Sequence, residues 1–233
     1  MDHASLLRTL HLIAILAIPL LFAITLHEAA HGWVASKLGD NTALSLGRVS
    51  ANPLKHIDLV GTILVPIVIA SFSNFIFGWA KPVPVNWSNL NNPKRDMALV
   101  AIAGPASNLL MALAWGLIAK ACFLLLDGNI TVNPDTAQTA MGLIFLSAYF
   151  GILINLVLMV LNLIPIPPLD GSRVVASFLS PPLSVWYAKI EPFGFFILLG
   201  LLFLGHLQVI LIHPVMVIFS IITQSLGLPA LNV

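Results

Sequence analysis

Long apolar stretches dominate this chain and limit what it can fold into. Two of them, residues 97–126 and 139–164, each exceed the roughly 20 residues that a helix needs to cross the hydrocarbon core of a bilayer. Further apolar runs cover residues 10–26, 59–80 and 193–228, and short polar segments connect them. The sequence therefore predicts an all-α polytopic membrane protein with five to six membrane helices.

Charge is scarce along the whole chain. Charged residues make up 8% of the 233 residues, against about 25% in ordinary soluble domains. So few charges cannot cover a water-facing surface, which argues against a soluble enzyme, a disordered chain and a nucleic-acid-binding protein. We expect the lipid bilayer to be the partner of this protein and to cover most of its surface. Because no polar connection can hold a separate soluble domain, we expect residues 1–233 to form a single membrane-embedded domain.

The first apolar run ends in an H-E-x-x-H motif. No small-residue cleavage site precedes His27, so we expect this run to be a retained membrane helix and not a signal peptide. Positions i and i+4 share a helix face, so His27 and His31 can bind one metal ion. Glu28 is then placed to take a proton from the attacking water. Two imidazoles and a carboxylate at the end of an apolar helix are costly unless they pair or bind something. The motif therefore predicts a metal site.

A catalytic zinc site uses three protein ligands and keeps one position open for water. The longer motif of soluble metalloproteases would supply a third histidine, but Val34 and Lys37 occupy its glycine and histidine positions. Spacing alone leaves ten candidates for the third ligand: Asp40, His56, Asp58, Asp96, Asp127, Asp135, Asp170, Glu191, His206 and His213.

Asp170 follows an unusual break in the chain. Three prolines within residues 165–168 end the preceding apolar helix, because proline removes a donor and disrupts the helix. Unwound backbone at membrane depth is tolerated where it is buried in protein or lines a wet cavity. A carboxylate at such a break can face an ion, although an ordinary Asp-Gly turn is the simpler alternative. The residues alone favour Asp170 only modestly over His56 or Asp58.

Three motifs occur in a fixed order: HEAAH at residues 27–31, AGPASN at 103–108 and NLIPIPPLDG at 162–171. Together they resemble the site-2 protease family of intramembrane zinc metalloproteases, whose elements are H-E-x-x-H, G-P-x-x-N and N-x-x-P-x-x-x-x-D-G. Residues 77–86 resemble a compact bacterial branch of that family. The chain has no room for the PDZ domain that many relatives carry, and residues 59–80 add an extra apolar stretch.

This resemblance implies a zinc protease that cuts peptide bonds in or near the transmembrane segments of other membrane proteins or peptides. It implies His27, His31 and Asp170 as zinc ligands and Glu28 as the catalytic acid/base. Asn162 would steady the substrate backbone or the developing oxyanion. The resemblance also implies an integral multi-pass protein of a bacterial cytoplasmic membrane. It does not specify the substrate or the oligomeric state.

Substrate binding is predicted for Val83, Val85 and Asn108. The prolines around Val83 confine residues 81–85 to an edge position, so we expect a short β-like edge near the active site. Such an edge could hold an unwound substrate by strand addition. Asn108 is polar in an apolar helix, where it either bonds a neighbouring helix or contacts substrate.

Topology constrains the site. The helix that carries HEAAH and the helix that ends at Asn162 must finish on the same side, which requires residues 59–80 to form a re-entrant segment and not a full crossing. We expect the reversal at residues 71–74, and we expect residues 193–228 to form two membrane segments. With the re-entrant segment, eight basic residues share the face of the site and only Arg8 and Lys120 lie opposite, which places the active site toward the cytoplasm. The eight are Lys37, Arg48, Lys55, Lys81, Lys94, Arg95, Arg173 and Lys189.

A non-enzymatic membrane protein is the competing hypothesis. It would be a metal transporter, or a family member that binds substrates without cutting them. A transporter should carry polar or ionisable groups along more than one crossing. In this chain those groups gather at one end of the apolar segments, which favours the protease.

Overall fold

The computed structural model describes residues 3–65, 68, 80–128, 130, 132 and 139–229, and in these residues the chain is helical and has no β-strand. This confirms the predicted all-α class. The α-helices are α1 (His3–Lys37), α2 (Thr42–Ser45), α3 (Pro93–Leu125), α4 (Ala140–Leu163), α5 (Asp170–Phe178), α6 (Pro181–Ala188), α7 (Glu191–Phe203) and α8 (His206–Ser225); short 3-10 or π turns cover Pro53–Lys55, Leu59–Leu64 and Trp87–Asn89.

Four of these helices are long and apolar enough to cross a membrane: the Ile15–Lys37 part of α1, α3, α4 and α8. The bent pair α6 and α7, with 61° between its helices, counts as a fifth if it forms one span. The chain is therefore an integral membrane protein. The predicted re-entrant segment falls largely on residues 66–67 and 69–79, which lie outside the described residues.

Helix α4 is the centre of the bundle and packs against α1, α3 and α8. Its buried face carries Phe145, Tyr149, Ile152 and Leu156, at the three- and four-residue spacing of a helix that turns one side toward the core. Gly151 lets α3 come close, because a Cβ there would lie 2.6 Å from the Trp115 ring. This close packing holds α4 against α3.

The last apolar region forms two helices, α7 and α8, where two membrane segments were predicted. Helix α8 is long and apolar enough to cross a membrane, whereas α7 reaches that length only together with α6. Helix α7 ends at Phe203, and Gly205 then adopts a left-handed conformation with φ of 74° before α8 begins at His206. Glycine reaches this conformation without the steric cost that a side chain brings. Pro214 lies inside α8 and does not end it.

The connection over residues 80–92, which we call the strap, leads from the 59–80 stretch into α3. Its start lies beside the residues that lead into that stretch, because Lys81 N donates to His56 O at 2.9 Å. The residues that flank the stretch therefore lie close together, and the path of the chain between them falls largely outside the described residues. Residues 80–86 of the strap belong to no helix and to no β-strand. The prediction of a short β-like edge at residues 81–85 is therefore wrong, and contacts other than strand pairing hold this segment.

Asp40 is the main anchor of the strap. Its fully buried carboxylate accepts hydrogen bonds from Asn86 N (2.7 Å), Asn89 Nδ2 (3.0 Å) and the amide and hydroxyl of Thr42. Burial raises the pKa of Asp40, but these hydrogen bonds favour the charged form and together hold the pKa below its usual value. The carboxylate therefore ties the end of α1 to the strap.

Candidate metal centre

Three side chains from two distant parts of the chain meet at one end of the bundle. Asp170 Oδ2 lies 3.1 Å from His27 Nε2 and 3.3 Å from His31 Nε2, and the two Nε2 atoms are 3.1 Å apart. The imidazoles are buried, and the Asp170 side chain is about one-fifth exposed. In the described part of the chain, no other group of three or more His, Cys, Asp or Glu side chains could hold a metal ion.

Local sequence explains why these side chains meet. One helical turn separates His27 from His31, so both imidazoles leave the same face of α1. Asp170 is the first residue of α5 and returns to that face because Gly171 packs directly on the end of α4. A Cβ at Gly171 would lie 2.2 Å from Leu163 O, so a larger residue would push α5 away.

Gly104 is a site residue to which sequence reasoning assigned no role. It lies in α3 opposite the imidazoles, and a Cβ there would lie 2.4 Å from His31 Nε2 and 2.6 Å from His27 Nε2. The backbone of α3 thus forms one wall of the centre. The Gly-Pro pair inside an otherwise apolar helix was the only sequence signal for this close approach.

The hydrogen bonds of the two imidazoles determine which nitrogen faces the centre. His31 Nδ1 lies 2.7 Å from Val100 O, and His27 Nδ1 lies 2.6 Å from Asn108 Oδ1. Carbonyl and amide oxygens can only accept, so both Nδ1 atoms carry the proton and both Nε2 atoms present a lone pair. Such contacts are typical of histidines that ligate metals.

A metal ion fits this arrangement. Two imidazole lone pairs and a carboxylate oxygen repel one another at these distances unless a cation lies among them. Asp170 Oδ2 is buried, and no group of the described residues donates a hydrogen bond to it. Zinc bonds of about 2.0–2.2 Å in a tetrahedron place ligand atoms about 3.3–3.6 Å apart, close to the separations here. Two nitrogens and one oxygen also form a three-ligand set of the catalytic type.

The strap reaches the centre at Glu28. Val83 N donates to Glu28 Oε2 at 2.8 Å, and the Val83 side chain is buried against α1, where a Cβ on Gly32 would lie 3.0 Å from it. Pro82 and Pro84 have no N–H, so Val83 supplies the only amide donor of residues 82–84. Val85 lies partly buried against the neighbouring apolar cluster.

The two candidate asparagines have different surroundings. Asn108 is fully buried and contacts His27, so it lies at the ligand and not at an open surface. Asn162 is partly exposed near the end of α4, and its Nδ2 donates to Leu158 O at 2.9 Å within the same helix.

Several of the other third-ligand candidates have separate structural contacts. Asp58 accepts from the amides of Val60 and Gly61 and so caps a helical turn, and Glu191 forms an ion pair with Arg173. The remaining contacts of this kind are His56 with Ser50 O, Asp96 with Asn92 N and His206 with Leu204 O.

Comparison with known proteins shows which family this chain is similar to. The model of the family described as Peptidase family M50 matches residues 15–204, which include all three converging side chains. "Putative zinc metalloprotease YwhC" of Bacillus subtilis is 40% identical over 194 residues, which are 82% of this chain and 81% of that protein. "Putative zinc metalloprotease Rip2" of Mycolicibacterium smegmatis is 28% identical over 183 residues, 78% of this chain and 64% of that protein. Rip2 of Mycobacterium tuberculosis H37Rv is 28% identical over 181 residues, 78% and 63% of the two chains. No solved structure matches the chain.

Proposed function

This chain belongs to peptidase family M50, a family of zinc metalloproteases, and from that premise we propose that it cleaves other membrane proteins within the bilayer, as a site-2 type protease. Its substrates would be peptide bonds in or near transmembrane segments. The observation that carries the proposal is the convergence of His27, His31 and Asp170 at one end of a bundle of membrane helices.

We assign zinc binding to His27 Nε2, His31 Nε2 and Asp170 Oδ2. When bound there, zinc polarises the scissile carbonyl and makes a water acidic enough to lose a proton near neutral pH. The two imidazoles are neutral ligands and Asp170 supplies one negative charge. A bound zinc ion would therefore keep a net positive charge that attracts the reacting oxygen.

Glu28 moves the protons in this proposal. Its Oε2 already accepts the Val83 amide, which leaves Oε1 to take a proton from the attacking water. Glu28 then gives that proton to the nitrogen of the leaving amine, so the carboxylate ends the cycle unchanged. The Val83 N–H keeps Glu28 oriented through both transfers.

Substrate contacts are assigned to the strap and to the end of α4. A helical substrate hides its carbonyls in hydrogen bonds and must unwind before water can attack. Because the Val83 amide is engaged by Glu28, an unwound substrate would pair with the Val85 amide and with strap carbonyls. Asn162 would steady the substrate backbone or the developing oxyanion.

The active site would face the cytoplasm of a bacterial cell. Lys37 at the end of α1, Lys94 at the start of α3 and Arg173 in α5 lie at the same end of the bundle as the centre. Basic residues at one end of membrane helices favour the cytoplasmic side. The bacterial sources of YwhC and Rip2 support the assignment to a bacterial cytoplasmic membrane.

Replacing Glu28 with glutamine tests the proposal. Purified wild-type protein and Glu28→Gln are placed in liposomes with a mixture of single-span membrane peptides, and new termini are identified by mass spectrometry. The variant should keep one zinc per chain and lose about 10²–10⁴-fold in cleavage rate, the usual contribution of an acid/base. Asp127→Asn, just beyond the end of α3 that lies far from the centre, is the matched carboxylate control and should cleave normally.

Two results would contradict the proposal. Equal cleavage by wild type and Glu28→Gln would remove Glu28 from the mechanism. Zinc-loaded wild type that cuts none of the peptides would favour a protein that binds substrates without cutting them.

A further inference from the structure

We propose that Asn155, in the middle of α4, is a positioning residue of the metal centre: through Asn108 it sets which nitrogen of His27 carries the proton. This inference rests on the proposed function in one respect, the use of His27 as a zinc ligand. The three residues come from different helices, because His27 lies in α1, Asn108 in α3 and Asn155 in α4.

A continuous chain of hydrogen bonds joins these residues. Asn155 Nδ2 donates to Gly151 O at 2.8 Å, Asn108 Nδ2 donates to Asn155 Oδ1 at 3.0 Å, and His27 Nδ1 lies 2.6 Å from Asn108 Oδ1. Both asparagines have no exposed surface. A buried amide in an apolar helix is costly unless its polar atoms are bonded, and here each amide has its nitrogen and its oxygen engaged.

The direction of each bond follows from its end point. The Gly151 carbonyl can only accept, so the amide nitrogen of Asn155 must face it and the Asn155 oxygen must face Asn108. That oxygen in turn draws the Asn108 nitrogen, which leaves the Asn108 oxygen toward His27. His27 Nδ1 therefore donates, and its Nε2 is free to bind an ion.

Without Asn155, the orientation of the Asn108 amide is weakly held. Among the described residues, the only other acceptor bonded to the Asn108 amide nitrogen is Ala23 O, at a longer 3.3 Å. A flipped Asn108 amide would point N–H groups at His27 Nδ1, which would then accept and force the proton onto Nε2. The atom that faces Asp170 and His31 would lose its lone pair. Asn155 thus acts on zinc binding without touching the ion.

The test compares Asn155→Leu with Asn155→Asp. Leucine is similar in size but cannot accept a hydrogen bond, whereas a buried, protonated aspartate can donate to Gly151 O and accept from Asn108. We expect Asn155→Leu to weaken zinc binding about 10-fold, as loss of an outer hydrogen-bond partner does, and Asn155→Asp to stay within about 2-fold of wild type. Zinc affinity is measured by competition with a chelator on detergent-solubilised protein.

A spectroscopic readout separates positioning from packing. In zinc-free protein with ¹⁵N-labelled histidine, the His27 signal is assigned by its absence from His27→Gln. Wild type and Asn155→Asp should hold the His27 proton on Nδ1, and Asn155→Leu should populate the Nε2 form. Leu156→Ala, the next residue on α4 and also fully buried, controls for lost stability alone and should keep both the affinity and the Nδ1 form.

Three results would overturn the inference: unchanged zinc affinity in Asn155→Leu, an unchanged His27 tautomer in that variant, or equal loss of affinity in Leu156→Ala. If Asn155→Leu does not fold, Asn155→Ser replaces it, because a serine hydroxyl bonds within the helix and does not reach Asn108. Failure of wild type to bind zinc would contradict the proposed function, while the tautomer measurement would still decide the role of Asn155.

Discussion

The two histidines of the HEAAH motif share one face of α1 but are held by different kinds of contact. His31 Nδ1 bonds the main-chain carbonyl of Val100, whereas His27 Nδ1 bonds the side chain of Asn108, which depends on Asn155. Glu28 between them is also held by main chain, through the Val83 amide. Side-chain substitution can therefore disable the support of His27 but leaves the main-chain groups that hold His31 and Glu28 in place.

Gly104→Ala should have the largest effect on zinc binding, because it displaces both histidines at once, whichever kind of contact supports each of them. The added methyl would meet both Nε2 atoms at well under van der Waals distance, so the imidazoles must leave the centre. We expect zinc affinity to fall more than about 100-fold, beyond the usual cost of losing an outer partner. Chelator competition measures it.

Gly116→Ala is the matched control in the same helix. A Cβ there would lie 2.8 Å from Leu226 Cδ1, the end of a flexible side chain that can move aside. Equal zinc affinities in the two variants would show that α3 does not form a wall of the centre.

Asn108→Leu should separate the two histidines. It removes the acceptor of His27 and leaves His31 untouched, and we expect zinc affinity to fall about 10–100-fold. The comparison variant Val100→Ala changes the side chain at the other support and keeps the carbonyl, so it should stay within about 2-fold of wild type. Similar losses in both variants would contradict the distinction between main-chain and side-chain support.

The sequence could predict the features that depend on neighbouring residues, but not those that depend on the path of the chain. The site candidates His27, Glu28 and His31 follow from the helical period, and the family resemblance, confirmed by the M50 match, rests on motifs of local residues. Spacing alone could not select Asp170 among ten candidates, because its place depends on the path of the chain through α3, α4 and the Pro-rich break.

The supporting residues were harder to recognise. Asn155 is an isolated polar residue in an apolar helix, a pattern equally typical of helix packing, and its partner Asn108 is 47 positions away. The strap illustrates the same limit, since no periodicity indicates that the Val83 amide meets Glu28, 55 positions earlier. The turn at Gly205 was predictable because its cause, a glycine between two apolar helices, is local.

Val83→Pro tests the main-chain support of Glu28. Proline deletes the Val83 amide that holds Glu28, so we expect kcat to fall about 10-fold, a fraction of the full acid/base contribution, with zinc affinity unchanged. Val83→Ala removes side-chain packing but keeps the N–H, and should retain more activity than Val83→Pro. The idea fails if the alanine variant loses as much activity as the proline variant.

Asp40→Asn should have the smallest effect on the centre, because it loosens the strap at its far anchor. At neutral pH the variant should lose about 1–3 kcal/mol of stability, since an asparagine cannot accept all the hydrogen bonds that the carboxylate accepts. Zinc affinity should stay within about 2-fold of wild type. Thermal unfolding in detergent measures the difference in stability.

The pH dependence of Asp40→Asn has a defined sign. The folded pKa of Asp40 lies below the usual 3.8, so its stabilisation is fully present above the unfolded pKa and is lost as pH falls through the folded one. In zinc-free protein, the gap in melting temperature between wild type and Asp40→Asn should narrow on acidification below about pH 4. A gap that is constant with pH would exclude the carboxylate as its cause.

The central claim is that His27, His31 and Asp170 bind one zinc ion. Zinc K-edge X-ray absorption on the purified wild-type protein tests this most directly, because it reports the atoms around the metal. We expect one zinc per chain, the scattering pattern of two imidazoles, and an oxygen shell at about 2.0–2.2 Å. A zinc environment without imidazole scattering, or one containing the sulfur of Cys122, would contradict the account.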